Sequence, residues 1–275
     1  WPYAEPDDDA TLRSLADALD ELSVDERVLP ERLRGAWLGR CVGNTMGKPV
    51  EGLTRDEVHR YLAAVGQWPQ TGYVPLLDVL PEGVSHLHES APFASAGCFT
   101  DVPRDDDIDW TILGLWLHEQ HGAELTTDDI ARAWLDKLPF TQTFTAERAA
   151  YRNLVRGSRP ERAARADNPY REWIGALIRG DAFGMTRPGR PGAAARAALA
   201  DARLSHVGNG IYGELWDAAL MAAALAVSTP RQALGVAIAV VPRGSRLFAA
   251  LRGVMELHAD GATAMDALAW VDAEL

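Results

Sequence analysis

The sequence predicts an all-α fold, a single compact multi-helix domain, and three observations carry that prediction. Apolar residues recur at three- to five-residue intervals in segment after segment, the spacing that lines one face of a helix. No stretch shows sustained period-two alternation, and no hairpin turn sits between β-branched runs. Two long alanine-rich stretches, 193–204 and 215–227, combine high helix propensity with side chains small enough for close packing.

Residues 1–30 read as a peripheral arm, and residues 31–275 as the helical domain. In 32–42, Leu33, Trp37, Leu38 and Cys41 form one apolar stripe. Gly35, Gly39, Gly43 and Gly47 recur every fourth residue, so they share one helix face. Glycine weakens a helix, and that loss is usually offset where another backbone or a ligand comes close. The helix should stop near Gly47-Lys48-Pro49, placing Glu51 on the loop just beyond it. Residues 66–97, with four prolines and several glycines, predict an irregular segment too long for an idle connection.

Ile108, Ile112, Leu115 and Trp116 then mark a second stripe, and Thr127-Asp128-Asp129 a helix start. That helix carries Ile130, Trp134, Leu135 and Leu138 and stops before Pro139. A basic, polar stretch at 157–168 predicts a mobile loop. Pro230 suits the first turn of a helix ending near Pro242, and 245–257 and 263–271 continue the pattern.

Composition narrows the function. The net charge is −12, from 39 acidic and 27 basic residues, which disfavours a nucleic-acid partner. An acidic protein can still bind a phosphorylated small ligand, given a metal, arginines or helix N-termini. No stretch is long and apolar enough to cross a bilayer, which argues against a membrane partner. Residues 1–9 lack the basic and apolar regions of a signal peptide, and Cys41 and Cys98 read as free thiols. A cytoplasmic location is the expectation.

The sharpest chemical signal is acidic. Asp101, Asp105, Asp106, Asp107 and Asp109 precede or open the helix whose stripe starts at Ile108. N-capping accounts for one carboxylate and the helix dipole for a second. The bland reading is an over-decorated cap on a solvated surface. The functional one is a hard divalent cation such as Mg²⁺, Mn²⁺ or Ca²⁺, which takes oxygen ligands and relieves the repulsion. The run is not an EF-hand, because the glycine and distal glutamate are absent. A third signal is Ser205-His206-Val207-Gly208-Asn209-Gly210-Ile211-Tyr212-Gly213-Glu214, a polar, glycine-broken link between alanine-rich helices. Its glycines would expose amides near a helix N-terminus, a setting suited to an anion. A histidine there is more often a cap or a satisfied core residue.

In this order the three segments resemble the ADP-ribosylglycohydrolase family. Gly47-Lys48-Pro49-Val50-Glu51 is similar to that family's Gly-x-Pro-x-Glu element. Asp105-Asp106-Asp107-Ile108 looks like its Thr-Asp-Asp-Thr metal element, with Asp105 and Ile108 where threonines are usual. Ser205-His206 resembles its Thr-His pair, and Gly184 with 188–194 falls where the family has a central loop. Two departures stand out. Gly43-Asn44-Thr45-Met46-Gly47 replaces Gly-Asp-Ala-x-Gly. The sequence also reaches Asp272-Ala273-Glu274 before any C-terminal Asp-x-Asp-Thr/Ser element, so it is either a piece of a longer protein or has a metal site lacking that element.

The resemblance implies metal-dependent hydrolysis of a glycosidic bond at the anomeric carbon of ADP-ribose or an ADP-ribosylated substrate, which includes ADP-ribosylated protein. Mg²⁺ or Mn²⁺ would be held by Asp105, Asp106, Asp107 and Asp109. Glu51 and Asp107 would be catalytic. Asn44, His206, Gly208, Asn209, Gly210 and Tyr212 would bind the substrate, with its diphosphate on the amides of Gly208 and Gly210. The alternatives are an N-glycosidase of a nucleoside or small ribosyl metabolite, and a non-catalytic ADP-ribose-binding protein.

Overall fold

A computed structural model describes residues 2–274, and these contain helices and no strand. The α-helices are α1 (Asp9–Asp17), α2 (Leu29–Gly47), α3 (Arg55–Ala64), α4 (Ala91–Ala94), α5 (Asp106–His121), α6 (Thr127–Lys137) and α7 (Thr145–Val155). They continue with α8 (Pro160–Ala163), α9 (Gly180–Met185), α10 (Pro191–Ala202), α11 (Asn209–Ala224), α12 (Pro230–Ala237), α13 (Arg246–Ala259) and α14 (Ala264–Glu274). The chain divides into two compact units, Trp1–Leu29 with Trp110–Leu275, and Pro30–Asp109.

Local chemistry sets many of the boundaries. Thr54, Thr126 and Thr229 each accept a bond from the third helical amide, while the residue there, Glu57, Asp129 or Gln232, reaches back to the cap amide. Pro230 occupies the first turn of α12, where its missing N–H costs nothing. Helix α2 stops at Gly47, and Pro49 turns the chain through a 3₁₀ turn, Lys48–Val50.

In the larger unit α10 and α11 are the centre. Ala194, Ala198 and Ala202 of α10 and Ala218, Ala219 and Ala222 of α11 are all fully buried. Small side chains bring the axes close enough that a methyl at Gly184 of α9 would meet Met221 Cβ at 2.5 Å and Ala218 O at 2.6 Å. Helix α1 adds Leu12 and Ala16 to this core. The stretch 157–168 is tied down rather than loose. It carries α8, buries Ala163 and Ala164, and gives the carbonyls of Ala163 and Ala166 to Asn153 Nδ2 at 2.9 and 2.5 Å. Helix α11 begins at Asn209, so Gly210 and Tyr212, expected in a link, lie in its first turns. The misreading is physical: glycines that break an exposed helix are tolerated where packing and hydrogen bonds fix the backbone.

A guanidinium lies inside this core. Arg179, 2% exposed, donates to Asp201 and Glu147 at 2.5 Å, reaches Glu214 at 3.5 Å, and stacks within 5.2 Å of Trp110 and Trp134. Three carboxylates against one cation are too many to ionise together without water. Burial and the Asp201 charge accordingly push Glu214 well above the usual carboxylate range.

The smaller unit is built on α3 and the irregular segment after it. Tyr61 and Leu62 of α3 pack with Val50, Val74 and Val84. Tyr61 Oη donates to Pro75 O at 2.7 Å and accepts from Leu77 N at 3.2 Å, pinning a segment without regular structure. The glycine face of α2 departs from expectation. A methyl at Gly35, Gly39, Gly43 or Gly47 would meet no atom within 4 Å among the described residues, so no helix packs there.

Two outcomes follow for the larger unit. Replacing Arg179 with Met strands buried carboxylates and should cost about 3–5 kcal/mol in urea unfolding at neutral pH. Glu214 holds its proton more tightly folded than unfolded, so its contribution is full below the ordinary value of 4.5 and is lost as pH rises above it. The decline in stability from pH 5 to pH 8 should therefore be shallower for Glu214→Gln than for the wild type. Equal slopes would show that Glu214 ionises freely.

Candidate functional site

The site in the smaller unit is assembled from the end of α2, the turn that follows it, and the start of α5. Asp105 precedes α5 and caps it: Asp107 N donates to Asp105 Oδ1 at 3.1 Å, and Asp109 N donates to Asp105 O at 3.0 Å. Asp106 and Asp107 occupy the first turn, where the positive end of the helix dipole favours carboxylates. Oxygens of Asp105, Asp106 and Asp107 lie within 4.8 Å of one another.

Two side chains from the α2 region hold these carboxylates. Asn44 Nδ2 donates to Asp105 Oδ1 and to Asp107 Oδ2, both at 3.0 Å. Lys48 Nζ forms an ion pair with Asp105 Oδ2 and lies 3.1 Å from Glu51 Oε2. The turn carrying Lys48 and Glu51 is itself fixed. His88 N donates to Pro49 O at 3.0 Å, Ser90 Oγ donates to Lys48 O at 3.4 Å, and His88 Nε2 stands 3.8 Å from Glu51 Oε2. His88 also lines an open depression of about 330 Å³, together with Leu76, Leu77, Leu80, Leu87, Pro92 and the acidic Glu89.

The electrostatics are unequal. Burial raises Asp105, but the Lys48 ammonium outweighs it and holds this carboxyl below the usual range. Asp106 is pushed up to about 7 by burial and by the charges of Asp105 and Asp107 on either side. Burial also raises Asp107, against the bond from Asn44. Lys48 is raised despite its burial, because Asp105 and Glu51 favour the charged form.

These residues suit a hard divalent cation. Carboxylate oxygens are the donors such ions prefer, and the clustered charge is destabilising without a cation. Asn44 Oδ1 is buried and accepts no hydrogen bond among the described residues.

The sequence expectations divide between the units. Asn44, Glu51, Asp105, Asp106 and Asp107 come together. Asp109 stands outside the three-carboxylate group, its Oδ2 paired with Arg104 at 2.5 Å. Lys48 was not expected, although its place between Gly47 and Pro49 beside a glutamate was visible. The residues 206–212 belong to the larger unit and are engaged there in holding it together. His206, 1% exposed, lies 2.8 Å from Ser205 Oγ, and burial and Arg179 push its pKa well below the usual histidine range. Asn209 Nδ2 donates to Glu5 and Glu172, and buried Tyr212 donates to Pro6 O at 2.6 Å.

Gly208 and Gly210, expected to hold a diphosphate, also lie in the larger unit. A methyl at Gly208 (φ +49°) would sit 3.2 Å from the Glu172 carboxylate, which is itself paired with Arg246 at 2.5 Å. The Gly210 amide already donates to Val207 O at 3.1 Å.

The raised Asp106 yields a sign that can be checked on metal-stripped protein. A carboxyl with a folded pKa near 7 stabilises fully below the ordinary value of 3.8, and that stability is lost as pH rises through 7. Asp106→Asn should therefore be more stable than the wild type at pH 8, by about 1–3 kcal/mol, with the gap closing toward pH 4 in urea unfolding. A variant less stable than the wild type at pH 8 would contradict this picture of the site.

No curated protein and no solved structure is similar enough to this chain to count as a significant match. The model of one family, ADP-ribosylglycohydrolase, matches residues 25–275, a span containing every residue of the site. Nearly the whole length is covered, the fold is all-α, and the paired aspartates open a helix beside a Gly-x-Pro-x-Glu turn: the chain belongs to the ADP-ribosylglycohydrolase family, whose members hydrolyse glycosidic bonds.

Proposed function

We propose that this chain hydrolyses the bond at the anomeric carbon of ADP-ribose or of an ADP-ribosylated substrate, with Mg²⁺ or Mn²⁺ bound on Asp105, Asp106 and Asp107. The observation that carries this reading is the convergence of those three carboxylates with Glu51 around one turn. A bound divalent ion would supply positive charge that orients the ribose hydroxyls and makes a coordinated water more acidic.

The protein's own groups do the rest. Glu51 is the general acid–base: its side chain is 57% exposed, so substrate and water reach it, while Lys48 and His88 orient it. Departure of the leaving group builds positive charge on the ribose, and the Asp107 carboxylate stabilises that charge. Asn44 holds Asp105 and Asp107 in place through its Nδ2, and so lies on the substrate side of the carboxylates. The open glycine face of α2 leaves a sugar room to approach Asn44.

A second reading, an N-glycosidase of a nucleoside or small ribosyl metabolite, is favoured by the open, mostly apolar depression beside His88. Leucines and a proline suit an uncharged planar base better than a protein side chain. Parallel assays with an ADP-ribosylated protein and with nucleosides separate the two.

Calorimetric titration with ADP-ribose, with and without Mg²⁺, tests the core of the proposal. Binding should require the metal and disappear in Asp106→Ala/Asp107→Ala. Glu51→Gln should keep the affinity and lower kcat about 10²–10⁴-fold. Binding with no turnover of any ribosyl substrate would leave an ADP-ribose-binding protein. A wild type that binds neither metal nor ADP-ribose would end the hydrolase reading.

A further inference from the structure

The Lys48 ammonium stands among the carboxylates where a cation belongs. It bridges Asp105, which is almost fully buried, and Glu51, the catalytic candidate, with 3.1 Å to the latter. Its side chain is only 15% exposed. Both ends of the lysine are held, because its carbonyl accepts bonds from Ser90 Oγ and from Glu51 N, and Pro49 restricts the turn that follows. A surface lysine sweeps through many rotamers, whereas this one is a fixed point charge.

The fixed ammonium then limits what else can bind. Asp105, Asp106 and Asp107 bring three carboxylates together, and Lys48 lies between Asp105 and Glu51. A second divalent ion would have to settle beside this fixed positive charge, which repels it. Asp105 is also heavily subscribed: Oδ1 accepts from Asn44 and from Asp107 N, and Oδ2 faces Lys48. A second ion therefore has to compete with the ammonium for the same oxygens.

We infer that Lys48 is a resident cation that takes the place of a second metal ion, so that this chain binds one divalent ion and not two. The ammonium neutralises Asp105 and orients Glu51, acting as a positioning group for the acid–base residue. The inference rests on the carboxylates being a metal site, and stoichiometry separates the two claims.

Mn²⁺ titrated into the metal-stripped full chain, followed by calorimetry and by electron paramagnetic resonance, gives the stoichiometry directly. The wild type should bind one Mn²⁺ with an isolated-ion spectrum, and Lys48→Arg, which keeps the charge, should do the same. Lys48→Met, shown to be folded by circular dichroism, should bind two, with spin coupling between them. Two ions in the wild type, or one in folded Lys48→Met, would overturn the role of Lys48 and leave the metal site standing. No Mn²⁺ in the wild type would overturn both. Should Lys48→Met fail to fold, Lys48→Gln takes its place and is read by the same two measurements, with one ion in the folded variant overturning the role of Lys48.

Discussion

A carboxylate removed from water must find a positive partner or a proton, and each unit of this chain is organised around that requirement. In the larger unit Arg179 meets Glu147, Asp201 and Glu214, all buried. In the smaller unit Lys48 meets Asp105 and Glu51, with Asp106 and Asp107 alongside. Carboxylates outnumber the cation in both places, so part of the negative charge is met another way. In the Arg179 network a proton does so, with Glu214 pushed far above its usual range. Around Lys48 the excess is met partly by the dipole of α5 and partly by the amide of Asn44, and a metal ion would satisfy the remainder.

The choice of cation separates the packed core from the candidate site. Arg179 presents a rigid fork whose nitrogens reach three carboxylates and Ser205 Oγ at 3.2 Å, while two indole rings cover its face. Such a group cannot move or lose its charge without dismantling the packing around α10 and α11. Lys48 is a compact charge at the rim, beside a glutamate that solvent reaches. The first arrangement fixes a core; the second leaves a ligand somewhere to bind.

What could be read from the sequence follows the range of the interactions. The start of α5 in the acidic run, the stop of α2 at Gly47 and the start of α6 at Thr127-Asp128-Asp129 are written within four or five residues. Each depends on local rules, and each was legible. The site was half legible: the carboxylates and Glu51 carry their own signal, but Lys48 meets Asp105 across 57 positions, and only the fold brings them together. The Arg179 network was invisible for the same reason, because nothing near Arg179 in the chain announces three partners 22 to 35 residues away. Ser205–Glu214 misled in the opposite sense. Glycine and polar residues suggest an exposed turn, yet Ser205, His206, Tyr212 and Glu214 are all buried, with partners that secure the start of α11.

The three adjacent aspartates are not equivalent, and their unequal duties bear on how the site should be probed. Asp105 caps α5, receives the Asn44 amide and pairs with Lys48, so its loss would unsettle a helix start, an amide and a half-buried ammonium together. A failure of catalysis in an Asp105 variant would therefore say little about chemistry. Asp106 carries the opposite burden: burial and the charges of Asp105 and Asp107 push it up to about 7, so the metal-free fold holds its ionised form at a cost. Asp107 lies between, supported by Asn44 but raised by burial. One carboxylate thus builds the site and its neighbours are held ready in it. That division explains why five acidic residues can crowd the start of one helix when capping and dipole together account for only two.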